Sequence, residues 1–410
     1  MSNAGKGASA PGKGRFETGI YAHLVGWGMA LPEKVMTNED LSAFVDTNDE
    51  WIQSRTGIRE RRIASEKETT ATLGLRAAQQ ALDIADVLPA ELDMIICATS
   101  TAENAFPAAA NLIQAGLGAT RAGAFDLGAA CSGFVYAVHM AAQIIRSGSA
   151  ETVLVVGSET LSRVINWNDR GTCILFGDGA GAVVLRASSA PGGVLSSILR
   201  SDGDGCDLLG LPTFGSLDSE DALASGHPLG KMHMNGGEVF KFATRVISES
   251  LTQAVEQAGI RMGDLALIVP HQANARILQA AARTLKLSES LFMSNLERYG
   301  NTSAASIPIA LTEAVQQGRV KPNDYIALVG FGGGLTWAAM IVQWGTPLTP
   351  PAGATGFIKR QRRRFSYFAA GWRRSVGRLS RQIGGLVSRL LPERGRMERL
   401  KRRVEREPLD

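Results

Sequence analysis

The chain has 410 residues, a hydrophobic fraction of 45% and 46 glycines, as expected of a globular protein with many tight turns and more than one ordinary core. No run reaches the ~20 apolar residues needed to span a bilayer. The four cysteines, Cys97, Cys131, Cys173 and Cys206, share no paired spacing, which argues against a disulfide framework or a zinc site and for reduced thiols in a cytoplasmic protein. The net charge of +4 hides an asymmetry, because residues 359–410 hold 17 Lys and Arg against 5 Asp and Glu, while the remainder holds 26 against 34. An acidic body carries a basic tail.

Residues 1–19 lack an apolar core segment and read as a disordered arm, not a signal peptide. From Ile20 to Trp344 short apolar runs alternate with helical patterns. Buried strands are predicted at Met94–Cys97, Thr152–Val156, Ala180–Leu185, Leu265–Val269, Tyr325–Val329 and Ala338–Val342. Helices are predicted at Thr70–Ile84, Phe106–Leu117, Ile247–Ala258 and Ile277–Leu285. The alternation predicts α/β layers with a largely parallel sheet. The two halves share an outline. Each has a strand running into a turn and a helix, at Cys131 and at His271. Each then has a Gly-rich segment and another strand, at Phe176–Gly181 and at Gly330–Gly334. Three prolines within Thr346–Gly353 mark the end of the globular part.

Cys131 stands in a small-residue turn between the apolar stretch Ala122–Leu127 and the apolar segment Phe134–Ile145. A thiol at a helix start sits in a field that favours the thiolate, which is the nucleophile. His271 in Val269-Pro-His-Gln-Ala-Asn274 and Asn301 in Tyr299-Gly-Asn-Thr-Ser303 share that setting. In open α/β sheets such turns converge on one crevice. A thiolate can accept an acyl group, and an imidazole N–H and a carboxamide can donate to a thioester oxygen as charge develops on it. Each residue alone has a plainer reading: Cys131 as a buried small side chain, like Cys97, Cys173 and Cys206, His271 as a helix cap, and Asn301 as an N-cap.

The segments Asn48–Ile58, Asp126–Gly133, Asp169–Thr172, Phe176–Gly181, Lys231–Phe240, His271–Arg276 and Gly330–Trp337 together resemble β-ketoacyl-acyl carrier protein synthase III, the initiating condensing enzyme of type II fatty-acid synthesis. The resemblance runs from Ile20 to Trp344. It implies a thiolase-like α/β fold of two duplicated halves, residues 20–190 and 191–347, in an α-β-α-β-α stack. Cys131 resembles the acyl-accepting nucleophile, and His271 and Asn301 resemble the pair that holds the malonyl thioester during decarboxylation. The backbone N–H groups of Cys131 and Gly333 resemble the oxyanion hole. Trp51 and Arg170 resemble the pair that sandwiches the adenine of coenzyme A. Arg55 resembles a phosphate contact, and Asn274 a pantetheine contact. Lys241 and Arg276 resemble the patch that docks acyl carrier protein. Phe106 matches the residue with which one subunit of a homodimer lids its partner's acyl pocket. The implied substrates are an acyl-CoA and malonyl-acyl carrier protein, with no cofactor and no metal. Without the resemblance, Trp51 could be core, and the run Arg55, Arg59, Arg61 and Arg62 a solvated face. Two rivals stay open: a specialised-metabolism ketosynthase or acyltransferase with the same Cys-His-Asn set, and a non-catalytic acyl-binding subunit, against which the presence of all three residues counts.

Beyond a Pro/Gly linker at 348–358, the basic tail at 359–410 has no place in that family pattern. Phe365, Phe368, Trp372, Val376, Leu379, Ile383, Leu386 and Leu390 recur at spacings of three and four among arginines. This is the pattern of a basic amphipathic helix of the membrane-surface kind. Gly371, Gly377, Gly384 and Gly385 weaken it by about 1 kcal/mol each relative to Ala. A shorter pattern follows Pro392, with Met397, Leu400 and Val404 in register. Three readings stay open for the tail: peripheral attachment to anionic lipid, packing on the acidic body or a partner, and disorder. Nucleic-acid binding is not expected, because charge alone supports it and no motif does.

Overall fold

The computed structural model describes residues 19–213, 229–345 and 354–390. Residues 1–18 of the expected arm, the proline-rich stretch at 346–353 and the segment after Pro392 lie outside the described residues. The strands that build the core are β1 (Tyr21–Ala30), β2 (Met94–Ala98), β3 (Gly123–Leu127), β4 (Thr152–Thr160) and β5 (Asp178–Ser188) in one sheet. The second sheet contains β6 (Gly193–Ser201), β7 (Leu265–Pro270), β8 (Tyr325–Gly332) and β9 (Thr336–Gln343). The helices that matter for the site are α1 (Asp49–Thr56), α2 (Thr70–Ala85), α3 (Ala109–Leu117), α4 (Gly133–Arg146), α5 (Gly236–Ala258), α6 (Ala275–Leu285), α7 (Ser306–Gln316) and α8 (Ala354–Leu390).

The first sheet runs β1-β5-β4-β2-β3 and the second β6-β9-β8-β7. Both begin with two antiparallel pairs, β1/β5 and β5/β4 in one, β6/β9 and β9/β8 in the other. Both continue in parallel, through β4/β2 and β2/β3 in the first and β8/β7 in the second. A single parallel bridge from Ile268 to Phe292 stands where the second sheet would hold a fifth strand. The two halves therefore repeat one topology, the duplication hinted at by their shared outline. The expected largely parallel sheet is corrected, since each sheet is mixed. A three-residue link joins β8 to β9, and a hairpin that short can join only antiparallel strands.

Helices α4 and α7 lie between the sheets, and their apolar faces (Phe134, Val138, Ile307, Leu311) share one core with β4, β5, β8 and β9. α2 and α3 cover the outer face of the first sheet, and α5 and α6 that of the second. The result is five layers. α2 begins at an N-capping Thr69, whose hydroxyl accepts from the Thr72 N–H, and it buries a stripe of Ala77, Ala78, Ala81 and Leu82. Where the halves meet, Gly157 of β4 lets the chain of the other half lie against it. A Cβ there would stand 2.3 Å from the Ala304 carbonyl oxygen. That approach seats the segment bearing Asn301 on the half that bears Cys131.

Arg61 is not part of a solvated face. It is fully buried, donating to Asn38 Oδ1 at 2.8 Å and to the carbonyls of Ile174 (2.7 Å) and Met36 (3.3 Å). Burial lowers its pKa to about 10, still far above neutrality, so it is a charged strut. Cys97 and Cys173 are buried as expected, whereas Cys206 is exposed. The tail residues from Ala354 to Leu390 form a helix that contacts α3 and reaches the end of α2 through Arg363. Among the described residues no helix is long and apolar enough to cross a membrane. Replacing Arg61 with Ala leaves a cavity and unpaired buried acceptors, and is expected to cost about 3 kcal/mol, read as a lowered urea midpoint at unchanged slope.

Candidate active site

One cavity of about 770 Å³ opens between the halves, a volume in the range of small-molecule sites. Its walls include Cys131, His271, Asn301, Gly333, Trp51, Arg55, Asn274, Lys241 and Arg276, so residues from six separate sequence segments converge there. Apolar side chains such as Leu161, Phe176, Met232, Val239 and Phe331 form much of the rest.

Cys131 follows β3 in a short 3₁₀ turn, Ala130–Ser132, that leads directly into α4. Ala130 takes a positive φ of 43°, a conformation that costs a non-glycine residue energy and that marks a constrained turn. Gly332 presses against this turn from the end of β8. A Cβ on it would stand 2.7 Å from the Cys131 nitrogen and 2.9 Å from its Cβ. A Cβ on Gly333 would meet the Leu209 carbonyl oxygen at 2.9 Å. The glycines thus bring the β8–β9 link within reach of the nucleophile.

The expected thiolate is corrected. Burial pushes the Cys131 thiol up to about 12, with the nearby Glu159 carboxyl adding to the rise. The Ser303 hydroxyl and the Cys131 backbone N–H oppose it without prevailing. Desolvation is the largest influence on this thiol, and it favours the neutral form. Glu159 itself is fully buried and pushed up to about 7 by that burial. It accepts from Thr101 Oγ1 at 2.6 Å and from the Ser100 N–H at 3.1 Å.

His271 lies just past the end of β7, where its N–H donates to the Val329 carbonyl at 2.7 Å. The imidazole is 1% exposed and packs edge-on against Phe331, with centroids 5.0 Å apart. Burial holds its pKa down at about 3, so it is neutral at physiological pH. Nδ1 lies 2.6 Å from Ser306 Oγ at the start of α7. The Gln272 N–H points at the same oxygen (3.4 Å), and with the serine hydroxyl donating to Nδ1 the ring hydrogen stands on Nε2. Gln272 also ties the site together. Its Nε2 donates to the carbonyls of Pro270 (2.7 Å) and Met293 (3.0 Å), and its Oε1 accepts from the Asn295 N–H (3.0 Å).

Asn301 is 6% exposed and held by backbone bonds to both sides of the Leu175–Gly177 segment. Its Oδ1 accepts from the Ser303 N–H at 2.8 Å, which is a capping contact, yet among the described residues the amide NH₂ has no acceptor and is available to donate. The capping and donating readings of Asn301 are therefore compatible.

At the mouth, the Arg55 and Arg170 guanidinium carbons stand 4.9 and 5.0 Å from the centroid of Trp51. Trp51 is placed by Asn48, whose side chain accepts from the Trp51 N–H at the start of α1. Arg170 does not line the cavity and reaches the site only through Trp51, donating also to the Asp46 carbonyl at 2.9 Å. Asn274 lines the cavity, but its carboxamide is already engaged. Its Oδ1 caps α6 by accepting from the Arg276 N–H (2.9 Å), and its Nδ2 donates to the Arg55 carbonyl (3.0 Å). Lys241 pairs with Glu238 at 2.8 Å, and the Arg276 guanidinium lies 5.7 Å from the Phe240 ring. Phe106 lies outside the cavity of its own chain and is 87% exposed. Sequence reasoning did not single out Ser303, Ser306, Gln272 or Glu159. The only signal was an unusual density of hydroxyl residues in Asn301-Thr-Ser-Ala-Ala-Ser306.

Two family models match: 3-oxoacyl-[acyl-carrier-protein] synthase III over residues 125–203, and its C-terminal region over residues 255–344. The β-ketoacyl-[acyl-carrier-protein] synthase III of Roseiflexus sp. (strain RS-1) is 51% identical over 326 residues, covering 79% of this chain and 98% of that protein. The chain belongs to the β-ketoacyl-acyl carrier protein synthase III family. Members are acyltransferases that carry out the initiating condensation of fatty-acid biosynthesis, and the family's α/β thiolase-like fold is the one described above. The synthase III structure from Aquifex aeolicus VF5 superposes with a TM-score of 0.74 at 45% identity, covering 79% of this chain and 100% of that one. The priming β-ketosynthase of the R1128 polyketide pathway gives 0.74 at 36% identity, covering 80% and 97%.

Replacing Gly332 with Ala forces a Cβ onto the Cys131 backbone. Acylation of Cys131, followed by intact mass, is expected to slow by about 10²-fold while the circular dichroism spectrum is unchanged.

Proposed function

We propose that this chain condenses an acyl-CoA primer with malonyl-acyl carrier protein through an acyl-Cys131 intermediate. The observation that carries this is the convergence of a buried thiol, a neutral imidazole and a free carboxamide N–H₂ on one apolar cavity. In the first half-reaction the Cys131 sulfur attacks the primer's thioester carbonyl. The Cys131 and Gly333 N–H groups hold the oxyanion, the C–S bond to coenzyme A breaks, and the CoA sulfur leaves with a proton as the free thiol. In the second, the malonyl thioester oxygen receives hydrogen bonds from His271 Nε2–H and the Asn301 NH₂. The carboxylate leaves as carbon dioxide, and the electron pair passes into an enolate. Its carbon attacks the Cys131 thioester, the new C–C bond forms, and the Cys131 C–S bond breaks. The regenerated sulfur takes up a proton, and the β-ketoacyl product leaves on the carrier protein.

Neutral donors suit this chemistry. A donor aimed at developing negative charge in a dry site contributes about 10²–10³ in rate. Ser306 acts as a positioning residue by fixing the His271 tautomer. Trp51, Arg55 and Arg170 form the surface for coenzyme A, where Arg170 must leave the indole to admit a base between them. Lys241 and Arg276 at the mouth suit an acidic carrier protein. The reading includes a homodimer. Among the described residues β3 is an edge strand with its outer side unpaired, and Phe125 on it and Phe106 are exposed, a surface that a second copy would cover. It also includes a peripheral position at a membrane, carried by α8. The likeness to a polyketide priming ketosynthase supports a second reading, in which the same catalytic set serves a specialised pathway.

Incubation with a panel of acyl-CoA thioesters should add one acyl mass to the wild type and none to Cys131→Ala. Acylation of the variant, or no acylation of wild type by any primer, would remove Cys131 as the acceptor. Because the thiol rests near 12, the acylation rate should climb with pH without levelling at the usual cysteine value near ~8.5. Because His271 protonates only near 3, malonyl decarboxylation should show no loss on acidification through ~6.5, the usual histidine value. A titration near that value in the decarboxylation rate would contradict the neutral-donor role.

A further inference from the structure

Helix α8 has two faces that do different things. One is docked on the body. Arg363 is 2% exposed and bonds Asp83 at 2.6 Å and Asp86 at 2.9 Å, at the C-terminal end of α2, where a helix favours cations. Lys359 reaches Asp86 (3.5 Å) and Glu91 (3.6 Å). One turn further on, Tyr367 packs on the outer core and Ala370 is buried against Gly118 at the end of α3. At about 100° per residue these four side chains occupy one arc of the helix.

Ile358, Phe365, Phe368, Trp372, Val376, Leu379 and Ile383 fall within an arc of about 80° centred on the opposite side. All seven are exposed, Phe365 and Phe368 at 70% and Trp372 at 64%. The described residues carry twelve exposed large apolar side chains, so this one stripe holds more than half of them. Docking therefore fixes the apolar side of α8 outward, where no described residue covers it.

The composition of the helix chooses among occupants. Residues 354–390 hold ten Lys and Arg and no Asp or Glu. Arg362 and Arg373 flank the stripe on one side and Arg364 on the other, all three exposed. A second copy of this face would bring like charge against like charge. A nucleic acid would satisfy the arginines and leave the apolar stripe in water. An anionic lipid surface satisfies both, with the aromatic side chains in the headgroup boundary and the arginines on the lipid phosphates. The helix also lies beyond the matched region. The C-terminal family model ends at residue 344, and the Roseiflexus relative is already 98% accounted for, which leaves too little of it for a counterpart.

We propose that α8 is a lipid-docking helix whose Lys359 and Arg363 clamp holds the stripe from Phe365 to Ile383 outward against an anionic bilayer. This deepens the membrane part of the function given above and is independent of the condensation chemistry. The test is flotation of the full chain with phosphatidylglycerol-containing vesicles and with pure phosphatidylcholine vesicles, for wild type and for the Phe368→Glu/Trp372→Glu double variant. Both substitutions are at exposed positions, and unchanged condensation with soluble substrates verifies the fold. The expected result is flotation with anionic vesicles only, weakened by salt, and reduced at least about tenfold in the variant. No flotation of wild type would overturn the membrane position itself. Flotation unaffected by the double substitution would overturn the stripe as the contact, and equal flotation on phosphatidylcholine would overturn the anionic preference. Loss of a larger oligomer in the variant without any vesicle binding would assign the stripe to a second copy instead.

Discussion

Desolvation of the chamber between the two halves is the constraint on which the rest depends. It raises the Cys131 thiol to about 12 and lowers the His271 imidazole to about 3, so both groups rest uncharged. In water neither effect would exist, and the two groups would return to their ordinary values near ~8.5 and ~6.5, where each titrates close to physiological pH. Here the second half-reaction needs a donor that stabilises negative charge on a thioester oxygen without giving up its proton. A neutral Nε2–H, oriented through Ser306, supplies that, and the free amide of Asn301 supplies a second donor.

The duplicated topology explains how these groups meet. Each half ends a strand near the seam. The first half contributes the nucleophile from the turn after β3, and the second contributes the donors from the turn after β7 and from the loop before α7. What closes the distance is the absence of side chains at a few contacts. Gly157 admits the Ala304 carbonyl, and Gly332 lies against the Cys131 nitrogen. Gln272 then fixes the donor side by binding three backbone groups around it. The fold repeats, but the chemistry is divided unequally between the copies.

Much of the site was legible in the sequence, because the reactive residues sit in turns of distinctive composition flanked by apolar runs. Strand positions in the parallel core were legible for the same reason. The mixed character of the sheets was not, because pairing direction is a long-range property. β1 is interrupted by Gly26 and Gly28, and β6 carries Ser196 and Ser197 among its apolar residues, so neither shows a continuous apolar run. The protonation of Cys131 was misread because a local rule about helix starts ignores how deeply the turn is buried. Arg61 looked like surface charge in a basic run, and only its burial and its three acceptors show otherwise. In the tail the amphipathic pattern was plain, but which face would dock was not, since that choice is made by Asp83 and Asp86 almost three hundred residues earlier.

The neutral state of His271 can be observed directly by nitrogen-15 NMR of the imidazole in the resting enzyme across a pH series. The account predicts a neutral ring with its hydrogen on Nε2 at every pH down to about 4, below which the buried ring approaches its lowered pKa of about 3. An imidazolium signal at neutral pH, or a hydrogen on Nδ1 instead, would contradict it.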